Sequence, residues 1–145
     1  MLVWKDKHLL LIERKKFPFG FAPPAGHVDD GEDFKKAAIR ELWEEVGLKA
    51  KSIRLIIEGR KENKCRRENG NWHYWKIYKV VADGVLKGNE EETKKSGFLN
   101  KEEVEKLMQK TEKYFNGEIS EEEWEKLPGL ETAWYEWFKE LRLWQ

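Results

Sequence analysis

Residues 26–48 read GHVDDGEDFKKAAIRELWEEVGL. They place Gly26, Glu32, Arg40, Glu41, Leu42, Glu44, Glu45, Gly47 and Leu48 in the pattern G-x5-E-x7-R-E-U-x-E-E-x-G-U, where U is a bulky aliphatic. The middle of the stretch predicts a helix over residues 33–46. It holds no proline or internal glycine, and Ala, Lys, Glu and Leu are good helix formers. Asp30 or Asp33 caps or favourably charges its start, and Gly47 supplies the left-handed residue that commonly ends a helix. At about 100° per residue, Glu44 and Glu45 fall on either side of Glu41. Ile39, Leu42, Trp43 and Val46 fall on a different arc and are expected to face the core. Ala37 and Ala38 flank the carboxylates, and their small size leaves room for something to approach.

Three carboxylates on one patch repel one another unless a cation joins them. Hard oxygen ligands in that number suit Mg2+ or Mn2+ rather than Zn2+. Arg40 lies four residues before Glu44 and eight after Glu32, so it is placed to pair with either and to hold a metal-ligating carboxylate in position. The glycines of the loop 26–31 permit tight turning and close approach of backbone to a ligand, and a phosphate near the helix start meets a favourable dipole. The competing reading is a solvated acidic face making (i, i+4) pairs with lysine. The full spacing argues against it. Seven positions each demand one residue type, and at roughly one in fifteen each, chance supplies such a window about once in 10^8.

The pattern resembles the signature of the Nudix (MutT-like) hydrolases. The resemblance implies an α/β fold, an α/β/α sandwich with a mixed β-sheet between helices, over a single domain of residues 1–145. It implies a Mg2+- or Mn2+-dependent pyrophosphohydrolase that cleaves a diphosphate linkage in a nucleoside diphosphate joined to a group X, or in a nucleoside triphosphate. Glu41, Glu44 and Glu45 are the expected metal ligands, with the Ala25 or Gly26 carbonyl as a backbone ligand. Glu44 is the first choice for the general base, ahead of Glu41, with Arg40 as the positioning group. Many family members carry a further glutamate in a later loop, as metal ligand or base. Here that loop holds Glu90, Glu91 and Glu92, of which Glu91 is the central candidate.

Outside the box, length and composition fit one domain with a real core: 145 residues, with zero formal net charge and both signs interspersed. No global field draws such a chain to nucleic acid or membrane. A nucleotide is therefore the expected partner, nucleic acid a weaker one, and a membrane is not expected. The chain is expected as a monomer or a homodimer. The one cysteine, Cys65, excludes an intrachain disulfide. Short apolar runs broken by charge near the start do not form a signal-peptide layout, so a cytoplasmic location is expected.

Strands are expected over residues 2–4, 8–14, 52–60, 72–82 and 97–99, with a proline-constrained extended segment over 17–26. Helices are expected over 101–114, with Val104, Leu107, Met108 and Thr111 on one side, and over 121–127 and 131–144. Trp124, Trp134, Trp137 and Trp144 at helical spacing are read as core rather than as a dimer surface. Trp72, Tyr74 and Trp75 are candidates to stack a base, since family members stack one near their central strands. The basic segment RKENKCRR, residues 60–67, is either a solvated hairpin loop or a clamp whose Arg66 and Arg67 grip phosphate oxygens. His73 is read as packed or hydrogen-bonded rather than catalytic, and Cys65 has no nucleophile context. The segment 60–67 is also the feature that keeps one alternative open, an RNA 5'-end pyrophosphohydrolase or decapping enzyme; a second alternative is a non-catalytic nucleotide-sensing module. The latter is disfavoured by the intact glutamates. A downstream array like that of the NADH-cleaving branch and a coenzyme A signature are both missing.

Overall fold

The computed structural model describes residues 1–144, so the last residue of the expected domain, Gln145, lies outside the described residues. Ten elements follow in order: β1 (Leu2–Lys5), β2 (His8–Arg14), β3 (Gly20–Ala22), α1 (Phe34–Val46), β4 (Lys49–Lys61), β5 (His73–Asp83), β6 (Thr93–Leu99), α2 (Lys101–Phe115), α3 (Glu121–Lys126) and α4 (Thr132–Leu141). The sheet is mixed. β1 pairs parallel with β5 and antiparallel with β2, and β4 pairs antiparallel with β5. β6 runs antiparallel along β2 from Leu9 to Arg14, while β1 and β3 share the other edge of β2.

Alternation along the strands divides the core in two. Leu2, Leu9, Leu11 and Ile77 point to one face, where Trp134, Trp137 and Phe138 of α4 and Val104 of α2 cover them. Val3, Leu10, Ile12 and Val80 point to the other, where Leu42 and Val46 of α1 cover them. Helices therefore lie on both faces, in the sandwich the sequence pattern implied. Trp124, Trp134 and Trp137 are buried, and Trp144 packs edge-on to Trp4 at 5.1 Å.

α1 begins where Asp33 accepts a hydrogen bond from the Lys36 backbone N–H, and it ends at Gly47 with φ 70°. Two residues of its expected apolar arc do not reach the core. Ile39 is 41% exposed and Trp43 54%. The helix is rolled toward its carboxylate side, so that Ala37, Leu42, Glu45 and Val46 are its buried residues. This roll seats Glu45 in the wall of the cleft described below. The last helix is also shorter than expected: Glu131 caps it and Arg142, at φ 48°, ends it. β6 is longer than expected because it is held along most of β2. Among the described residues no helix is long and apolar enough to cross a membrane.

Candidate active site

A cleft of about 780 Å³ opens between the loop preceding α1, the carboxylate face of α1 and the β4–β5 hairpin. One wall carries Glu41, Glu44 and Glu45, with Ala25, Gly26, Ala37 and Ala38 beside them. Arg14, Arg66, Arg67, Tyr74 and Glu92 line the same cleft. The sequence motif and the basic segment, far apart in the chain, thus face one space.

Arg40 organises the acidic wall. Its Nε and Nη2 donate to the two oxygens of Glu32, each at 2.9 Å. Nη1 donates to Glu41 Oε1 at 2.9 Å and to Glu44 Oε2 at 3.1 Å, and Nη2 also reaches the His27 carbonyl at 3.3 Å. Hydrogen bonds from Arg40 hold the Glu32 carboxyl down at about 2, and the same pairings raise the Arg40 pKa. A guanidinium offers five donors in a fixed fork, which is why one side chain serves three carboxylates and a carbonyl.

The three candidate ligands differ in environment. Glu45 is 9% exposed and accepts from the Ala25 backbone N–H at 3.1 Å. Burial pushes its carboxyl up to about 7, against the pull of that hydrogen bond. Burial also raises Glu41, with Arg40 acting in the opposite direction. Glu44 has the most open side chain of the three, 53% against 21% for Glu41. Gly26 lies so close that a Cβ there would run into Cγ, Cδ and Oε1 of Glu41, so glycine is required for the close approach its place in the motif implies. Arg40 and the Ala25 amide each hold carboxylate oxygens on this wall. Among the described residues, the three-residue group whose ligand atoms all lie within 4.8 Å of one another is instead His27, Cys65 and His73.

The substrate-side candidates divide. Arg66, Arg67 and Tyr74 line the cleft, and so does Trp75, whose Nε1 donates to Asn63 Oδ1 at 3.2 Å. Trp72 is not among the lining residues. It is half exposed, and the Arg60 guanidinium covers its ring at 4.2 Å. The fold therefore does not bring Trp72 among the cleft residues. The acidic loop likewise presents a neighbour of the expected residue. Glu91 is exposed and does not line the cleft, while Glu92 does. Glu92 Oε1 receives Lys16 Nζ at 3.2 Å and its Oε2 receives Arg66 Nη2 at 3.1 Å. Burial raises the Glu92 carboxyl, but the Lys16 hydrogen bond and the charges of Arg66 and Lys16 outweigh it and hold the group low.

Sequence reasoning missed Arg14, His27, Asn63 and Glu131 as cleft residues. Arg14 donates from Nε to the Pro18 carbonyl at 2.8 Å, which aims the guanidinium. Glu131 is 5% exposed and raised by burial, with the Ala133 amide opposing. Burial, then Arg67, lowers His27. No local spacing marks these residues, since they come from a strand, two loops and a helix cap far apart in the chain.

The family model for the NUDIX domain matches residues 1–129. The chain belongs to the Nudix family. Over 56 residues it is 46% identical to the ADP-ribose pyrophosphatase of Methanocaldococcus jannaschii, a match covering 36% of this chain and 33% of that one. Over 102 residues it is 32% identical to an RNA pyrophosphohydrolase of a Wolbachia species, covering 70% of this chain and 55% of the other. These matches therefore span about half or less of the curated relatives' own length. A Nudix hydrolase from Nitrosomonas europaea superposes with a TM-score of 0.60 at 21% identity, covering 80% of this chain and 85% of that one. That similarity carries the fold.

Proposed function

We propose that this Nudix domain is a pyrophosphohydrolase that cleaves a diphosphate linkage in a nucleoside diphosphate joined to a group X, giving a nucleotide and phospho-X. The observation that carries the reading is that one cleft is lined both by Glu41, Glu44 and Glu45 and by Arg14, Arg66 and Arg67. A diphosphate between two larger groups needs cationic forks on its outer oxygens and carboxylates that gather a cation on its inner ones.

Glu41, Glu44 and Glu45 fit a hard divalent cation, Mg2+ or Mn2+, by the chemistry of their oxygens. The buried Glu45 carboxyl, raised to about 7, is a group whose charged form gains from a cation beside it. The Ala25 or Gly26 carbonyl, on the loop against Glu41, is a further oxygen donor. When bound, the cation supplies charge neutralisation to the phosphates and a more acidic water.

The chain's own residues supply the rest. Arg14, Arg66 and Arg67 bind and orient the phosphates. Tyr74, half exposed at the cleft, offers a face for the nucleoside. Glu44 takes the proton of the attacking water, because its carboxylate is the most open of the three and Arg40 fixes only its Oε2. Arg40 holds Glu41 and Glu44 in place. Glu92 steers Arg66 and Lys16 by direct ion pairs.

One specific observation favours a second reading, an RNA 5'-end pyrophosphohydrolase. The longer of the two matches is to a protein of that name. Phosphate or nucleotide release should be followed over ADP-ribose and other nucleotide sugars, nucleoside triphosphates, dinucleoside polyphosphates and 5'-triphosphorylated or capped RNA. Metal-dependent turnover of a small nucleoside diphosphate derivative supports the first reading. Turnover confined to RNA supports the second, and binding without turnover of any substrate supports a nucleotide sensor.

A further inference from the structure

Three side chains from three separate segments meet in the cleft apart from the carboxylate wall. His27 comes from the loop before α1, Cys65 from the β4–β5 hairpin and His73 from the start of β5. Their donor atoms all lie within 4.8 Å of one another. His27 Nε2 and His73 Nε2 face each other at 3.3 Å. Two imidazole nitrogens bound to one tetrahedral Zn2+, at about 2.0–2.1 Å each, stand about 3.4 Å apart. The pair is thus already at the separation that the ion requires.

The surroundings of each donor match the same purpose. His73 Nδ1 lies 3.1 Å from the Asn63 carbonyl. A carbonyl accepts only from N–H, so the proton sits on Nδ1 and the lone pair on Nε2 faces His27, the outer-shell arrangement that fixes a metal-binding tautomer. Cys65 Sγ accepts from the Arg67 backbone N–H at 3.4 Å, which fixes the direction of the sulfur. The hairpin closes through Cys65 N–H to the Gly70 carbonyl at 3.0 Å and Gly70 N–H to the Arg67 carbonyl at 3.0 Å. A Cβ on Gly70 would come within 2.5 Å of the sulfur, so the glycine leaves the thiol its place. Neither histidine nor the cysteine is fully buried, which leaves them open to an ion entering through the cleft.

We propose that His27, Cys65 and His73 form a site for a borderline divalent ion, Zn2+ above all, separate from the hard-cation site of the glutamates. Two imidazoles and a thiolate select Zn2+ or Co2+ over Mg2+. Three protein ligands leave a fourth position, as in open rather than closed zinc sites. Arg14, Arg66 and Arg67 share the cleft and favour an anion there, such as a phosphate oxygen. The ion clasps the hairpin that carries Arg66 and Arg67 to the loop that carries Gly26, and so fixes the basic segment relative to the glutamates.

The test uses the full chain, stripped with chelator and then held in saturating Mg2+ so that the carboxylates are occupied. Titration with Co2+ should give one equivalent of binding with a thiolate-to-cobalt charge-transfer band, which Zn2+ displaces. Cys65→Ser should abolish the band and weaken Zn2+ binding by at least the roughly 10–100-fold that follows loss of a ligand's supporting partner, His73→Gln should weaken binding in the same direction, and Glu45→Gln should leave the band in place. Zn2+ should raise the unfolding temperature of the parent protein but not of Cys65→Ser. A wild-type titration without a charge-transfer band overturns the site and leaves the two histidines as a hydrogen-bonded pair. A band that survives Cys65→Ser, or one lost in Glu45→Gln, overturns it as well. Substrate turnover enters none of these readouts, so the site stands or falls independently of the proposed hydrolysis.

Discussion

Arg40 grips Glu32 through two parallel hydrogen bonds, Nε to Oε2 and Nη2 to Oε1, both at 2.9 Å. The pair ties the loop before α1 to the middle of the helix, and the remaining Arg40 donor, Nη1, goes to Glu41 and Glu44. Lysine carries the charge but not the fork. Arg40→Lys and Glu32→Gln should therefore each lower kcat by roughly 10–100-fold, the range seen when a ligand's supporting partner is removed. The check is steady-state kinetics with a metal titration. Normal kcat in Arg40→Lys would show that the fork does not position the glutamates. The pH sign follows from the depressed Glu32 carboxyl, about 2 in the fold against 4.5 as reference. Whatever stability the pair contributes is present above pH 4.5 and is lost as pH falls toward 2.

Glu45 gives the opposite sign. Burial raises its carboxyl from 4.5 to about 7. The folded chain therefore holds this proton more tightly than the unfolded chain, and the associated stability is full below pH 4.5 and lost as pH rises to about 7. A shift of that size is worth roughly 3 kcal/mol. In chelator, the denaturant midpoint of the parent protein relative to that of Glu45→Gln should fall between pH 5 and 7. Saturating Mg2+ should restore much of the lost stability at pH 8 in the parent protein only. A difference between the two proteins that does not change with pH in chelator would contradict the assignment.

How much of this was legible beforehand depends on where the information lay. The carboxylate wall was readable because its spacing sits within one helix and one loop, and the two-faced core was readable from Leu9, Leu10, Leu11 and Ile12. The roll of α1 was not. Burying Glu45 in the cleft turned Ile39 and Trp43 outward, and a helical wheel has no means of predicting a buried carboxylate. Trp72 and Tyr74 looked alike as aromatic residues, but only Tyr74 follows the strand into the cleft, while Arg60 covers Trp72. Glu92 was indistinguishable from Glu91 until Lys16 and Arg66 were seen to hold it. His27, Cys65 and His73 lie up to 46 residues apart and meet only because the hairpin folds over the loop.

Gly26 offers a test of geometry without charge. A Cβ there collides with the Glu41 side chain, which must then leave its place. Gly26→Ala should lower kcat by about 100-fold, as a misplacement near 1 Å does. The unfolding temperature should change little, because Glu41 is a flexible side chain at the cleft rather than part of the core. Wild-type turnover in this variant would mean that Glu41 acts from a different position.

Arg66 and Arg67 should act mainly on binding. Charge-assisted hydrogen bonds of about 1.5–3 kcal/mol each imply that replacing both with alanine raises KM roughly tenfold or more, with a smaller effect on kcat. Raising the salt concentration should weaken the parent enzyme toward the variant. Unchanged kinetics on the identified substrate would make residues 60–67 a solvated hairpin loop.

The base is separable from the ligands by metal rescue. A carboxylate that only holds the cation loses affinity when it becomes an amide, and more cation partly restores the rate. A carboxylate that takes the proton loses a step that no metal concentration replaces. Glu44→Gln should therefore keep measurable Mg2+ affinity and lose most of kcat at every concentration, with a deficit of roughly 10²–10⁴-fold. Glu92→Gln should be milder, because its present partners are Lys16 and Arg66 and its loss falls mainly on phosphate binding. Glu90 and Glu91 do not line the cleft, so Glu90→Gln and Glu91→Gln should stay near the parent rate. The deciding measurement is kcat of all four variants at saturating Mg2+. If Glu92→Gln is the slowest of the four, the base is Glu92, and Glu44 is a metal ligand that Arg40 holds by its Oε2.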